Sequence, residues 1–134
     1  MKVAFSTSGN TLNDPLDRRF GRAPKFLVYD TQTESFDVVD NEQNLNAPQG
    51  AGIQSAQTVA RTGAGHLVTG HCGPKAFKVL QAAGVKIYIA DAATVAEALL
   101  HLQTFLAFDF GLKRTGVASG NRLLAHAQPR GTLR

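Results

Sequence analysis

Apolar residues recur along this chain with two different periods, and stretches rich in polar residues, Gly and Pro separate the segments. Alternating apolar and polar positions are typical of half-buried strands, whereas apolar positions three or four residues apart are typical of helices that pack on a sheet. The second predicted helix has Pro74 in its first turn and ends at Gly84, and the third begins at Asp91 or Thr94. The predicted strands are 2–6, 25–30, 35–40, 66–70 and 85–90, and the predicted helices are 52–64, 73–84 and 91–103.

This order of elements predicts an α/β fold. Two hairpin strands follow the first strand, and helices and strands then alternate. We therefore expect a mixed β-sheet flanked by helices, with right-handed crossovers between its parallel strands. Ligands of such sheets bind outside the carboxyl ends of the strands. Two turns are expected there, because residues 70–73 leave a strand and enter a helix, and Gly50–Gly52 opens another helix.

A long polar loop, residues 7–24, contains the sequence DRRFGRA. A loop of this length is uncommon in a compact domain and is often functional. Two interpretations stay open. Either the segment is a solvated basic turn with Phe20 folded onto the core, or its arginines, among them Arg19 and Arg22 on either side of Gly21, flank an anionic ligand.

The sequence TGHCGPKAF, residues 69–77, contains the only cysteine of the chain. Gly70 and Gly73 allow a tight backbone and a close approach of a ligand. Cys72 lies just before the helix that Pro74 starts, where the helix dipole and unpaired N–H groups favour an anion and lower the pKa of a thiol. The turn is therefore predicted to hold an anion, a soft metal or both, because thiolates favour Cu(I), zinc and iron–sulfur species.

The residues alone leave three interpretations of Cys72. It is a small buried side chain, a ligand beside His71, or a nucleophile. The absence of a Cys-x-x-Cys pair or a Cys/His quartet argues against a closed structural zinc site. Adjacent residues at a strand end point in opposite directions, which argues against His71 as a base for Cys72 and against cysteine-hydrolase chemistry. Gly50 and Gly52 likewise fit either plain loop-to-helix geometry or contacts with a ligand.

The composition favours one folded unit with an appended C-terminal segment. The chain has 134 residues, 43% of them hydrophobic, and no apolar run approaches the ~20 residues that span a bilayer. A single cysteine excludes an internal disulfide, and the N-terminus lacks the apolar region of a signal peptide, so we expect a cytoplasmic protein. Acidic and basic side chains balance over residues 1–103, and the formal net charge of +4 comes from residues 104–134.

Residues 1–103 resemble the dinitrogenase iron–molybdenum cofactor biosynthesis family, which includes nitrogenase accessory proteins and orange-protein-like molybdenum–copper proteins. The matching stretches are MKVAFST, FGRAPKFLVYD, VVDN, GAG before a helix, GHCGPKAFKVLQAAGVKIY and TVAEAL, in this order. The resemblance implies a fold of the ribonuclease-H-like type. It also implies non-covalent binding or carriage, rather than catalysis. The cargo it implies is a molybdenum-containing metal–sulfur cluster, iron–molybdenum or molybdenum–copper, or a precursor of one.

A thiometallate is anionic and soft, and the predicted turns suit such a cluster. His71 and Cys72 are the candidate metal ligands, although backbone amides and arginines alone can hold a thiomolybdate. Gly70, Gly73 and Pro74 are expected to shape the site, and no catalytic residue is predicted. The candidate cluster-binding residues are Arg19, Phe20, Gly21, Arg22, Gly50, Gly52, Gly70, His71, Cys72, Gly73 and Pro74.

Residues 104–134 do not continue this pattern and are predicted to form a β-rich extension with strands in FLAFDFG, KRTGVASG and NRLLAHAQP. The stretch AFDFGLKRTGVASG resembles the first strands of the YqgF family of Holliday-junction-resolvase-like nucleases, which implies that Asp109 corresponds to a metal-binding carboxylate. No Asp or Glu follows Asp109. Two-metal nucleases need several carboxylates, so we expect a truncated, inactive nuclease unit and a chimera of two families. Its strands are expected to pair with the sheet edge, to exchange between copies or to stay unstructured.

Three functional hypotheses follow. The first is a non-enzymatic carrier of a metal–sulfur cluster, a monomer or homodimer, whose partners are proteins that donate or accept the cluster; neither a membrane nor a nucleic acid is expected as a partner. The second is a nucleic-acid-binding or inactive nuclease fragment in the basic tail, whose binding would fall steeply with salt. The third is a chimera in which neither part keeps its activity.

Overall fold

The part of the chain that the structure describes contains six β-strands, three α-helices and one short 3-10 turn. This structure is a computed structural model, and it describes residues 1–41, 50–107 and 123–125. The elements in chain order are β1 Lys2–Thr7, a 3-10 turn Phe20–Arg22, β2 Lys25–Asp30, β3 Ser35–Asp40, α1 Ala51–Arg61, β4 His66–Thr69, α2 Pro74–Ala82, β5 Lys86–Ala90, α3 Val95–Leu106 and β6 Leu123–Ala125.

The strands form one mixed sheet in the order β3-β2-β1-β4-β5-β6. Strands β1, β2 and β3 are antiparallel neighbours, as expected for a hairpin that follows the first strand. Strands β1, β4 and β5 are parallel neighbours; α2 connects β4 to β5, and α1 connects β3 to β4. The predicted α/β class with a mixed sheet flanked by helices is therefore confirmed.

The sheet has a hydrophobic core on each face. Alternate residues of a strand point to opposite faces, and the central strands are apolar in both directions. Strand β1 illustrates this, because Ala4 packs with residues of α1 and α2 whereas Val3 and Phe5 pack with residues of α3. Helices α1 and α2 thus cover one face and α3 covers the other. The turns that lead from the parallel strands into α2 and α3 emerge at the carboxyl ends of these strands.

The helix limits follow the predicted sequence features. Pro74 is the first residue of α2, and Gly84 follows its end with φ of 83°, a left-handed conformation that glycine adopts without strain. Of the two candidates for the start of α3, Thr94 is the N-cap. Its side chain accepts a hydrogen bond from the backbone N–H of Glu97 at 3.1 Å, and the Glu97 carboxylate accepts one from the N–H of Ala93 at 2.8 Å, which together make a capping box.

Helix α3 continues past the predicted boundary between residues 103 and 104. The prediction of a strand in FLAFDFG is wrong for Phe105 and Leu106, which belong to the helix. Phe105 is buried, and its ring lies edge-on to that of Tyr88 with centroids 5.9 Å apart, so packing on the sheet extends the helix. A strand predicted within NRLLAHAQP is confirmed as β6, which pairs with the sheet edge at β5. Asp109 and the stretch KRTGVASG lie outside the described residues, and the division into two units stays a prediction.

Candidate functional site

Helices α1 and α2 place their N-termini side by side, and neither end has a side-chain cap. Helix α1 follows Gly50, whose φ of 80° is left-handed. Helix α2 follows Gly73. The two first turns are in contact, since a Cβ added to Gly52 would lie 3.4 Å from the Cβ of Ala76. A helix N-terminus combines a partial positive charge with N–H groups that lack partners within the helix, so two adjacent ends favour an anion.

The N-terminus of α3, by contrast, is occupied by the chain itself. The carbonyl oxygens of Leu12 and Asp14 accept hydrogen bonds from the backbone N–H groups of Ala96 and Val95, at 2.8 Å and 3.0 Å. These contacts fix the β1–β2 loop, residues 8–24, against α3. The backbone N–H groups in the first turn of α3 therefore position a loop and are not available for a ligand.

The β1–β2 loop then crosses the β4–α2 turn, residues 70–73. The backbone N–H of Phe20 donates to the carbonyl oxygen of His71 at 3.2 Å. Arg18 passes directly over Gly70, where an added Cβ would lie only 2.8 Å from the Arg18 Cα. Below this crossing, the Ser6 hydroxyl lies 2.6 Å from the Asp17 carbonyl oxygen and 2.7 Å from the Thr69 hydroxyl. The two segments that the sequence singled out are thus held together.

The arginine turn, Phe20–Arg22, sits between the loop and the start of α1. A Cβ added to Gly21 would lie 3.1 Å from both the Cα and the backbone N of Gly52. Two fully buried polar residues, Asn41 and Ser55, fix this turn. The Asn41 side chain donates hydrogen bonds to the Ala23 carbonyl oxygen at 2.9 Å and to the Ser55 hydroxyl at 3.0 Å. The Ser55 hydroxyl in turn donates to the Gly21 carbonyl oxygen at 3.3 Å. Gly21 therefore permits a close backbone contact with the start of α1 that a side chain at position 21 would crowd.

Arginine side chains of the loop add positive charge at this edge. The guanidinium of Arg18 lies 3.2 Å from the Asp91 carboxylate at the end of β5, and both groups are largely exposed. The guanidinium of Arg19 lies 3.3 Å from the Asp17 carboxylate, which raises the pKa of Arg19. The ion pair of Arg18 joins two exposed groups and contributes little to stability, so Arg18 can turn towards an anionic ligand at small cost. The Asp17 carboxylate is only 9% exposed and also accepts a hydrogen bond from the Arg19 backbone N–H at 2.9 Å, so its ion pair holds the Arg19 guanidinium more firmly.

Cys72 lines a largely apolar cleft. The cleft, called the thiol cleft below, has a volume of about 200 Å³ and is lined by Gly70, His71, Cys72, Phe77, Ile87 and Ile89. Burial raises the pKa of the Cys72 thiol to about 11. The prediction that the start of α2 lowers this pKa is wrong, because desolvation among apolar side chains disfavours the thiolate. Cys72 is a neutral, half-buried thiol that packs at the margin of the α1–α2 core.

This pKa leads to a testable result for Cys72. We expect its alkylation by iodoacetamide at pH 7.5 to be about one hundredfold slower than that of an unshifted thiol, because a pKa about two units higher leaves about one hundredth of the thiolate. The rate should rise about tenfold per pH unit and level off only above about pH 11. In urea the unfolded chain should level off near pH 9, the ordinary value. A folded chain whose rate also levels off near pH 9 would contradict the burial of the thiol.

The same shift has a consequence for stability. The pKa of the folded thiol lies above its unfolded value, so the unfolded state loses its proton first as the pH rises. The free energy of unfolding should therefore fall between about pH 9 and about pH 11. The variant Cys72→Ser should lack this part of the pH dependence in urea titrations.

The residues at this edge fit an anionic cluster better than a metal ion held by side chains. Within residues 1–41 and 50–107, no three His, Cys, Asp or Glu side chains are grouped so as to hold a metal ion. The neutral state of Cys72 also makes it a weak ligand until a metal displaces its proton. The assignment of His71 and Cys72 as metal ligands stays a prediction, whereas helix N-termini and arginines are suited to a delocalised negative charge.

The structure gathers most of the predicted site residues at one edge. The arginine turn contacts the start of α1 through Gly52 and the β4–α2 turn through His71. Gly50 makes no such close approach, because a Cβ added there would meet nothing within 4 Å; its left-handed φ alone requires glycine. Asn41, Ser55 and the apolar residues of the thiol cleft were not predicted as site residues from the sequence. Only the alternation of Ile87 and Ile89 in a strand pointed to two side chains on one face.

The fold is that of a small α/β protein with a mixed sheet, in which α1 and α2 begin side by side. The chain belongs to a known family. The model of the family "Dinitrogenase iron-molybdenum cofactor" matches residues 1–104. This match confirms the resemblance drawn from the sequence.

Two solved structures and one curated protein resemble most of the chain. The apo form of the orange protein from Desulfovibrio gigas is 41% identical, with a TM-score of 0.75 over 77% of this chain and 87% of that one. A "putative NifB protein" from Thermotoga, assigned to the DUF35 family, is 31% identical, with a TM-score of 0.65 over 88% of this chain and 98% of that one. An uncharacterized protein of Methanocaldococcus jannaschii is 26% identical over 102 residues, which are 74% of this chain and 82% of that protein.

A second kind of relative matches only a short segment. A "Putative pre-16S rRNA nuclease" of Albidiferax ferrireducens is 76% identical over 33 residues, which are 25% of this chain and 21% of that protein. A protein of the same name from Polaromonas is 69% identical over 32 residues. The chain therefore spans about a fifth of the length of these relatives. The match supports the resemblance of the C-terminal residues to nucleases and is consistent with a chimera.

Proposed function

We propose that the chain binds or carries an anionic metal–sulfur cluster, or a precursor of one, without covalent attachment and without catalysing a reaction. The cluster is of the iron–molybdenum or molybdenum–copper type. The observation that carries this proposal is the meeting of the α1 and α2 N-termini at Gly52 and Ala76, with the arginine turn packed against them. Membership of the dinitrogenase iron–molybdenum cofactor family and similarity to the orange protein support it.

The residues of the site can hold such a cluster in two ways. Backbone N–H groups at the two helix starts and the guanidinium groups of Arg19 and Arg22 attract its negative charge. The thiol cleft beside them offers weakly polar surface, and a sulfide-rich cluster is less strongly hydrated than an oxyanion of equal charge. Cys72 contributes a soft, neutral contact in this proposal, and its thiol becomes a ligand only if the cluster takes its proton.

The first experiment is a titration of the purified apo-protein with tetrathiomolybdate, with and without Cu(I). The mixture is desalted, its visible absorbance is recorded, and bound molybdenum and copper are determined by metal analysis. We expect a coloured complex with a fixed metal-to-protein ratio. A folded chain that retains neither metal after desalting would contradict the proposal.

Removing the positive charges of Arg19, which precedes the arginine turn, and of Arg22 within it tests the location of the site. We expect the double variant Arg19→Gln and Arg22→Gln to bind tetrathiomolybdate at least about tenfold more weakly, because each charge-assisted hydrogen bond contributes about 1.5–3 kcal/mol when desolvated and less at a surface. The charge-matched control is the double variant Arg61→Gln and Lys86→Gln, with Arg61 in the last turn of α1 and Lys86 at the first residue of β5. Equal weakening in the control would show that only the overall charge matters and would place the site elsewhere.

Further features of the family stay proposals for this chain. We propose a ribonuclease-H-like fold type, a cytoplasmic location, and partners that donate or accept the cluster. Among the described residues, no helix is long and apolar enough to cross a membrane. Transfer of labelled molybdenum between the loaded chain and a candidate acceptor would test the assignment of partners.

The 33-residue match favours one alternative function, nucleic-acid binding through the basic C-terminal residues. Residues 104–134 hold the whole excess of positive charge, and contacts of Lys and Arg with phosphates weaken steeply with salt. Fluorescence anisotropy with a labelled RNA hairpin at low and physiological salt would test this. No binding at low salt would eliminate the alternative, whereas it would leave the cluster proposal untouched.

A further inference from the structure

The outer edge of β5 pairs with a strand that comes from outside the family domain. Strand β6 is antiparallel to β5 and pairs through three residues, Leu123 with Ala90, Leu124 with Ile89 and Ala125 with Tyr88. The family match ends at residue 104, well before β6. The edge of this domain therefore accepts a strand from a segment that does not belong to the domain.

The two edges of the sheet differ in their suitability for such pairing. Strand β3 carries Asp37 and Asp40 as exposed residues, and charges on an edge strand oppose pairing with another chain. Strand β5 has a single charged residue, Lys86 at its start, followed by four apolar residues. An apolar edge of this kind favours association with a further strand, and β6 covers only its last three residues.

The connection between α3 and β6 allows β6 to reach beyond its own domain. Helix α3 has 12 residues and is therefore about 18 Å long. Sixteen residues, 107–122, separate its last residue, Leu106, from the start of β6 at Leu123. A chain of that length can span more than about 50 Å when extended. The connection can therefore deliver β6 to its own β5 or to the β5 of a second copy.

We propose that β6 is an exchangeable strand and that two copies of this chain form a dimer by inserting β6 of each into the β5 edge of the other. Exchange of an identical element preserves every pairing within the sheet and costs little. Ile89, the pairing partner of Leu124, also lines the thiol cleft. In the exchanged dimer, the partner's strand therefore borders each cleft, which couples the assembly to the site.

Disulfide trapping tests the exchange in otherwise intact chains. In a Cys72→Ser background, one chain carries Ala90→Cys and the other carries Leu123→Cys. Directly opposed residues on antiparallel strands have Cβ atoms about 4.5–5.5 Å apart, close to the separation that a disulfide requires. After mixing under mild oxidation, we expect a covalent heterodimer that forms at least about tenfold faster than in the control pair. The control combines Phe36→Cys, on the opposite edge strand β3, with Leu123→Cys.

Two further variants make the outcomes decisive. The double variant Ala90→Cys and Leu123→Cys on one chain should close an intramolecular disulfide, which reports on the same pairing within a copy. Adding Leu124→Pro to the Leu123→Cys chain should remove trapping, because proline cannot donate a backbone hydrogen bond to the sheet. Heterodimer formation at the rate of the Phe36 control, or trapping that survives Leu124→Pro, would overturn the proposal. Since a tethered strand competes at an effective concentration of about 1 mM, trapping should also accelerate as the protein approaches that concentration.

Discussion

Replacing Phe20 with alanine should lower the free energy of unfolding by about 3–5 kcal/mol, the range for truncating a fully buried phenylalanine. The Phe20 side chain is only 1% exposed and packs in the core between the sheet and helices α1 and α2. Its ring centroid lies 5.3 Å from that of Phe26 on β2. The substitution removes this packing and leaves a cavity directly beneath the arginine turn. Urea unfolding followed by circular dichroism would measure the change.

The matched control for this prediction is Phe36→Ala. Phe36 is 36% exposed on the edge strand β3, so its truncation should cost less than about 1 kcal/mol. The affinity for tetrathiomolybdate should fall in Phe20→Ala and stay unchanged in Phe36→Ala when both are measured well below their unfolding transitions. Equal losses of stability in the two variants would show that Phe20 does not anchor the turn to the core.

Most of the sheet could be predicted from the sequence because the segments with local strand patterns are the ones that pair in the structure. Residues 25–30 and 35–40 were predicted as two strands of a hairpin, and β2 and β3 have these bounds. Their alternation and the intervening turn are local properties, so no distant contact was needed to place them. The end of α3 shows the opposite case, because Phe105 resembles a strand residue locally and is helical through its contact with Tyr88 across the core.

The site was predictable as a set of segments but not as a set of chemical properties. Glycines and Pro74 at the starts of α1 and α2 showed where the turns would be, and the strand order placed them at one edge. The pKa of Cys72 was predicted with the wrong sign. The start of a helix can be predicted from the sequence. The cleft that desolvates the thiol cannot, because it forms only when Phe77 of α2 meets Ile87 and Ile89 of β5 in the fold.

The polar contacts that fix the arginine turn were also beyond the sequence. Asn41 follows the last residue of β3 and appears in the sequence as an ordinary loop residue. In the structure its side chain is fully buried and donates hydrogen bonds to the Ala23 carbonyl oxygen and the Ser55 hydroxyl, which are distant along the chain. Buried amides of this kind are recognised only once the fold has brought their partners together.

Replacing Gly70 with alanine should abolish tight binding of tetrathiomolybdate and lower the free energy of unfolding by about 1–3 kcal/mol, as for other overpacked sites. The new Cβ would lie 2.8 Å from the Cα of Arg18, and backbone atoms cannot yield as a side-chain terminus can. The β1–β2 loop must therefore shift away from the β4–α2 turn. This shift breaks the hydrogen bond from the Phe20 N–H to the His71 carbonyl oxygen.

Gly65→Ala provides a control away from the proposed site. Gly65 precedes the first residue of β4, its φ lies outside the left-handed region, and a Cβ added there would meet nothing within 4 Å. Its substitution by alanine should therefore cost less than about 1 kcal/mol. Isothermal titration calorimetry with tetrathiomolybdate should then show near-native affinity for Gly65→Ala and loss of binding for Gly70→Ala. Because both variants keep every charged side chain, this contrast would show that binding depends on how the loop crosses the turn. If Gly70→Ala bound as tightly as the parent chain, the crossing would have no part in the site.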